Sequence, residues 1–321
     1  MRGLGQAMRD QDRITDGIVQ GPFPFRDLGI SLNVNPLPDN RCAYDCLHCR
    51  HRRETGLTLT REPLSDPEVV ARAVSRRLDG LDEAPDFILL NSHGEVTLDT
   101  NLGLTIRRLQ KDGLRVAVAT CGALLWDRDV REELLAADWV GVMVNTTRIE
   151  TWRAIERPHP SLHLAKILDG LLQFSKSYIG GLATDTILVP GVNDQPDHAL
   201  ELGRFMTKLN PAAAYLHPPA DPWAGILPPG SIEKAAVKVF AVLTTLLEKV
   251  VVVPAFEGNG RQPGEEVPPG LGTIPMSRED LLEQAAKLGL PEEQVQRWIM
   301  EGALTSVSLD GGTLFLRRLG R

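Results

Sequence analysis

Six short apolar runs alternate with segments of helical period along the first 255 residues, and this alternation constrains the fold more than any other feature. The runs are Leu28–Val34, Phe87–Asn91, Leu114–Thr120, Trp139–Asn145, Thr184–Val189 and Ala212–His217. Helices are predicted near 67–79, 102–112, 127–136, 161–174 and 196–209, and another near 231–248 precedes the apolar run Val250–Pro254. Leu164, Ile167, Leu168, Leu171 and Leu172 recur at i, i+3, i+4, i+7 and i+8, one helix face turned to a core. Regular alternation of strand and helix predicts a parallel sheet with right-handed crossovers. Six such units predict an α/β fold, a partial (βα)6 barrel of TIM type, with functional residues at the C-terminal ends of the strands.

The barrel is expected over residues 28–255, after an N-terminal segment 1–27. Residues 256–275 are dense in Gly and Pro and read as a linker. Beyond it, Ser277 is placed to cap a helix through Leu281, Leu282, Ala285 and Leu288. Pro291 opens a second helix through Val295, Trp298 and Ile299, and Gly302 ends it. Two strands joined by Asp310-Gly311-Gly312 follow, so residues 276–321 resemble a winged-helix module.

Composition narrows the function. A net charge of −7 and an aromatic content of 5% disfavour a surface built for bulk nucleic-acid binding or base stacking. No apolar run reaches the roughly 18 residues of a membrane span, and the first residues have no apolar stretch of signal-peptide type. A cytoplasmic protein without membrane contact is expected. Three of the four cysteines fall within eight residues, which suits a metal or cluster better than a disulfide framework.

That segment reads Arg41-Cys42-Ala43-Tyr44-Asp45-Cys46-Leu47-His48-Cys49, a C-x3-C-x2-C spacing. A short loop can wrap three thiolates round one cubane and leave the fourth iron open. The residues also admit a zinc site completed by His48 or His51.

The spacing, set after a first strand, resembles the radical S-adenosylmethionine (SAM) superfamily. The likeness extends to a branch of Fe–S oxidoreductases related to wyosine-tRNA synthases. It is carried by Leu28-Gly29-Ile30-Ser31-Leu32, by Gly94-Glu95-Val96-Thr97-Leu98, by Arg157-Pro158-His159-Pro160 and by Leu188-Val189-Pro190-Gly191-Val192-Asn193-Asp194. The resemblance implies a [4Fe–4S] cluster on Cys42, Cys46 and Cys49, with SAM at the open iron. It places the SAM amino group on Glu95 and main-chain groups near Gly94, and ribose or the SAM carboxylate on Asn145. Asp185 would face the barrel mouth or pair with an arginine. Val189, Pro190 and Gly191 would wall the adenine, and His48 would stack on it where the family usually has an aromatic ring.

Cys121, at the end of the third strand, stands where the family tends to carry Asn. Two readings remain open for it: a thiol that reacts with a substrate radical, or a small buried hydrophobe. The function implied is reductive cleavage of SAM to a 5′-deoxyadenosyl radical, which takes hydrogen from a small molecule or a protein partner. A flavodoxin or ferredoxin would supply the electron. Two other functions stay open, tRNA modification and a cluster- or zinc-containing winged-helix regulator. Glu292 and Glu293 on the module's second helix are a poor match for DNA phosphates.

Overall fold

A computed structural model describes residues 17–49, 56–219, 227–228, 230–253, 267–268, 271–309 and 312–319. His51 and most of the expected linker lie outside the described residues.

All six predicted strands are present. They are β2 (Ile30–Val34), β3 (Phe87–Leu90), β4 (Val116–Thr120), β5 (Trp139–Met143), β6 (Gly181–Ile187) and β7 (Ala213–His217). Two further strands complete an eight-stranded sheet ordered as in the chain, β1 (Val19–Pro24) and β8 (Val250–Val252). β1 pairs antiparallel with β2, while β2 to β5 and β6 to β8 pair parallel. All four residues of β3 are buried, the pattern of a parallel strand covered on both faces. β1 escaped the sequence reading because Gly21 and Pro22 interrupt it; only an edge strand tolerates a proline there.

The helices are α1 (Pro67–Leu78), α2 (Leu102–Lys111), α3 (Arg128–Leu134), α4 (Ile149–Glu156), α5 (Leu164–Ser177), α6 (Pro196–Leu209) and α7 (Ser231–Leu243). Asp66 caps α1 by accepting from the Glu68 amide, with Pro67 at the first helical position. α6 likewise begins on a proline and ends on Asn210 in the left-handed region. At eight residues α4 is too short for periodicity to reveal, and it was not expected.

The described contacts group into two compact units. One lies within residues 1–45, 51–142 and 158–182. Its helices α1, α2 and α3 pack in succession, and its core includes Leu32, Ile88, Leu89, Ile106 and Val118, all fully buried.

The other unit lies within residues 46–50, 143–157 and 183–321. α6 packs on α7 within it. Its C-terminal part holds α8 (Arg278–Lys287), α9 (Glu292–Met300) and the hairpin β9 (Leu304–Leu309) with β10 (Gly312–Arg317). Ser277 caps α8 as expected, accepting from the Asp280 amide at 3.1 Å while its hydroxyl donates to the Asp280 carboxylate at 2.7 Å. Leu281, Ala285, Val295, Trp298 and Leu304 form a core of their own with Val267, Leu271 and Met276.

Candidate functional site

In the first unit the site is organised by residues 94 and 95. A Cβ on Gly94 would run into the backbone carbonyl of Arg41, so only glycine lets the two chains approach this closely. The next amide, of Glu95, donates to that carbonyl at 2.9 Å. The Glu95 carboxylate is 1% exposed and has four donors inside the protein. Oε1 accepts from the Thr97 amide at 3.0 Å, the Thr97 hydroxyl at 2.5 Å and the Thr120 hydroxyl at 2.5 Å. Oε2 accepts from the Cys121 amide at 2.8 Å. Glu95 therefore ties the approach to the cysteine loop to the end of β4.

The first part of the cysteine loop is further held by residues 158 and 159. Tyr44 bridges Pro158, and the His159 amide donates to the Ala43 carbonyl at 2.9 Å. His159 is thus part of a turn, with its own Nδ1 accepting from the Ser161 amide at 3.2 Å. The Tyr44 amide points at the Cys42 sulfur, 3.4 Å away. No cysteine among the four forms a disulfide.

Burial above all, then interactions with Cys42 and with the Glu95 carboxylate, push the Cys121 thiol well above the ordinary cysteine range.

Just beyond the C-terminal ends of β2 and β3, Asn35 Oδ1 and Ser92 Oγ are buried with no hydrogen-bond partner among the described residues. Buried polar atoms are almost always satisfied in a native protein, so this end of the sheet has the donor and acceptor chemistry of a polar ligand's seat. Ser92 does not stand out in the sequence.

The second unit assembles a different group. Asn145, 2% exposed, accepts from the Ile187 amide at 2.6 Å and donates to Glu156 Oε1 at 3.0 Å. Its side-chain amide thus joins the ends of β5 and β6 to α4. Burial raises Glu156 to about 8, against a smaller lowering by the Asn145 bond. The other oxygen of Glu156 is buried without a partner among the described residues. No sequence signal marked Glu156, because α4 itself was not foreseen.

Asp185, on β6, pairs with a histidine: its Oδ1 lies 2.6 Å from His217 Nε2 at the end of β7. With Asp185 ionised, Nε2 carries the proton and Nδ1 is left as the accepting nitrogen. His48 is in the same unit. Burial chiefly, and secondarily His217, lower it to about 4, and its Nδ1 is buried without a partner among the described residues. It is a neutral ring, able to stack.

The turn from Val189 to Val192 is of type II, closed by a 2.9 Å bond from the Val192 amide to the Val189 carbonyl. Pro190 occupies its second position and Gly191, at φ 80°, its third. Asn193 accepts from the Val189 amide and Asp194 from the Gly191 amide, each at 2.8 Å. The segment expected to wall an adenine is therefore rigid.

Three cysteines within eight residues are a donor set that suits a cubane, each thiolate meeting a different iron.

Residues 38–203 match the family model described as the radical SAM superfamily. The chain is 30% identical over 310 residues to a UPF0026 protein of Methanocaldococcus jannaschii, covering 94% of this chain and 96% of that one. A UPF0026 protein of Helicobacter pylori is 27% identical over 60% of this chain and 63% of its own length. Among solved structures, TYW1 with a lysine-pyruvate adduct bound is similar at a TM-score of 0.53 and 17% identity, over 70% of this chain and 76% of that one. Native anSMEcpe with bound AdoMet gives a TM-score of 0.51 at 15% identity, over 67% and 59%. Likenesses this distant in sequence concern the fold alone.

Proposed function

This chain belongs to the radical SAM superfamily, through its match to that family and its kinship with the UPF0026 proteins, and we propose from that premise that Cys42, Cys46 and Cys49 hold the cluster at which it reductively cleaves SAM. Members of the superfamily are enzymes, and SAM and a [4Fe–4S] cluster are their cofactors. When bound and reduced, the cluster supplies the electron that breaks the S–C5′ bond of SAM, giving methionine and a 5′-deoxyadenosyl radical that takes hydrogen from the substrate.

The observation that carries the reading is the tether from Arg41 to Glu95, which sets the start of the cysteine loop beside the C-terminal end of the sheet, where parallel α/β proteins keep their sites. The chain's own residues then have distinct tasks. The Tyr44 amide stabilises negative charge on the Cys42 sulfur. The Glu95 carboxylate accepts from the SAM ammonium. Asn35 Oδ1 and Ser92 Oγ gain partners when the amino-acid end of SAM is seated. The Val189–Gly191 turn and the neutral ring of His48 offer apolar surface to the adenine. Asp185 holds and orients the His217 ring at the end of β7.

Among the described residues no helix is long and apolar enough to cross a membrane. We place the reaction in the cytoplasm, where a flavodoxin- or ferredoxin-type donor supplies single electrons.

Anaerobic reconstitution tests the reading. About four irons and four sulfides should bind per chain with broad visible absorption, and replacing Cys42, Cys46 and Cys49 by Ala should abolish both. Stoichiometric zinc without visible absorption would overturn it.

A further inference from the structure

Ser31 and Asn33 on β2 and Asn35 just past it are alternate residues, so the three polar side chains share one face of the sheet. Asn35 serves SAM in the proposed reaction, whereas Ser31 and Asn33 have no task in it. Ser31 is fully buried and Asn33 is 9% exposed, yet Ser31 Oγ and Asn33 Oδ1 have no hydrogen-bond partner among the described residues. Such unpaired buried atoms are rare and call for a physical cause.

The strand register gives their surroundings. Asn33 pairs with Leu89, Leu89 with Ala117 and Ala117 with Trp139, a buried layer across four strands. Two residues further along each strand, about 6–7 Å towards the C-terminal ends, the next layer is Asn35, Asn91, Ala119 and Gly141. Asn35, Asn91 and Ala119 are only half-buried. Ala119 is the one residue of β4 that is not buried, although a parallel strand covered on both faces is buried throughout. The small residues Ala119 and Gly141 thus leave an accessible depression above a closed floor, and all of it lies within the first unit.

We propose that this depression seats the substrate, and that the group it recognises is a neutral amide, held between Asn33 and Asn91. The proposal rests on the reading of the chain as a radical SAM enzyme only for calling the ligand a substrate. Asn33 and Asn91 stand on neighbouring strands one layer apart. Each side-chain amide presents an acceptor and two donors in one plane, which is the complement of another amide. No residue of the two layers is charged, so a carboxylate or an ammonium seated here would lose its hydration without gaining a counter-charge. An amide loses only hydrogen bonds that the two asparagines replace. Leu89, Ala117 and Trp139 give its carbon atoms an apolar floor.

Ligand-observed saturation-transfer NMR on the full-length protein tests the seat with acetamide, acetate and acetamidinium, three probes of one shape that differ in charge. Acetamide should bind saturably, and each ion at least about tenfold more weakly. Asn33→Asp keeps the shape and adds a negative charge, so the preference should pass to acetamidinium, a switch that a purely structural asparagine would not produce. If Asn33→Asp does not fold, Asn91→Asp at the half-buried position carries the same expectation. Saturable binding of none of the three probes would mean that buried water satisfies these atoms and would overturn the proposal. So would a ranking left unchanged in both variants. Iron loading of the same preparation separates the two readings. About four irons without acetamide binding would remove the seat alone, whereas acetamide binding by protein that takes up no iron would keep the seat and bring down the radical chemistry.

Discussion

Glu95 accepts the Cys121 amide at 2.8 Å through its side chain, while its own amide donates to Arg41 one residue before the first cysteine. One residue therefore links two segments that the chain separates by some eighty positions. The same carboxylate that the family resemblance assigns to SAM is, in the folded protein, first a structural bracket.

This double role changes what Glu95→Gln should do. An amide in place of the carboxylate turns one acceptor into a donor, opposite groups that are themselves donors. Cluster-free protein should lose about 1–3 kcal/mol in urea unfolding, the penalty of buried unsatisfied groups. A residue that only bound SAM would leave this midpoint unmoved.

Gly94→Ala should damage the loop more directly. The colliding atom is a backbone carbonyl, which cannot swing aside as a side chain would. A stability loss of about 1–3 kcal/mol is expected, together with poor iron loading on reconstitution. Normal loading with an unshifted melting curve would contradict the close approach.

Glu156 should impose a pH dependence on stability. Its carboxyl sits at about 8 in the folded chain against 4.5 as the reference. Between those values the native state binds more protons than the unfolded one, so stability falls as pH rises and the loss is complete above about 8. Glu156→Gln removes the titrating group and keeps an acceptor for Asn145. It should flatten the fall, which is at most ~1.4 kcal/mol per pH unit. Parallel pH profiles for variant and wild type would rule out the buried acid.

The Asp185–His217 pair predicts a single imidazole tautomer. In 15N spectra of the folded chain the proton of neutral His217 should reside on Nε2, facing the carboxylate 2.6 Å away. A proton on Nδ1 would mean that the carboxyl is the donor.

Much of this was legible along the chain. Short apolar runs marked the strands from β2 to β7, since a parallel strand is buried on both faces, and a period of 3.6 marked the helix of Leu164–Leu172. The capping of α8 by Ser277 was legible too, because such signals are local. The cysteine spacing marked the chemistry. β1 and α4 were not legible, one interrupted by Gly-Pro and the other too short to show a period.

The sequence by itself determined the α/β alternation, the cysteine loop and the membership that follows from them. Only the tertiary structure decided which side chains meet: Glu95 with Thr120 and Cys121, Asn145 with Glu156, Asp185 with His217. Each of those pairs joins positions 11 to 32 residues apart on different elements, beyond the reach of any helical or strand period. Whether a carboxylate is a ligand's seat or a bracket depends on the donors that folding brings round it, and the chain's linear order does not record them.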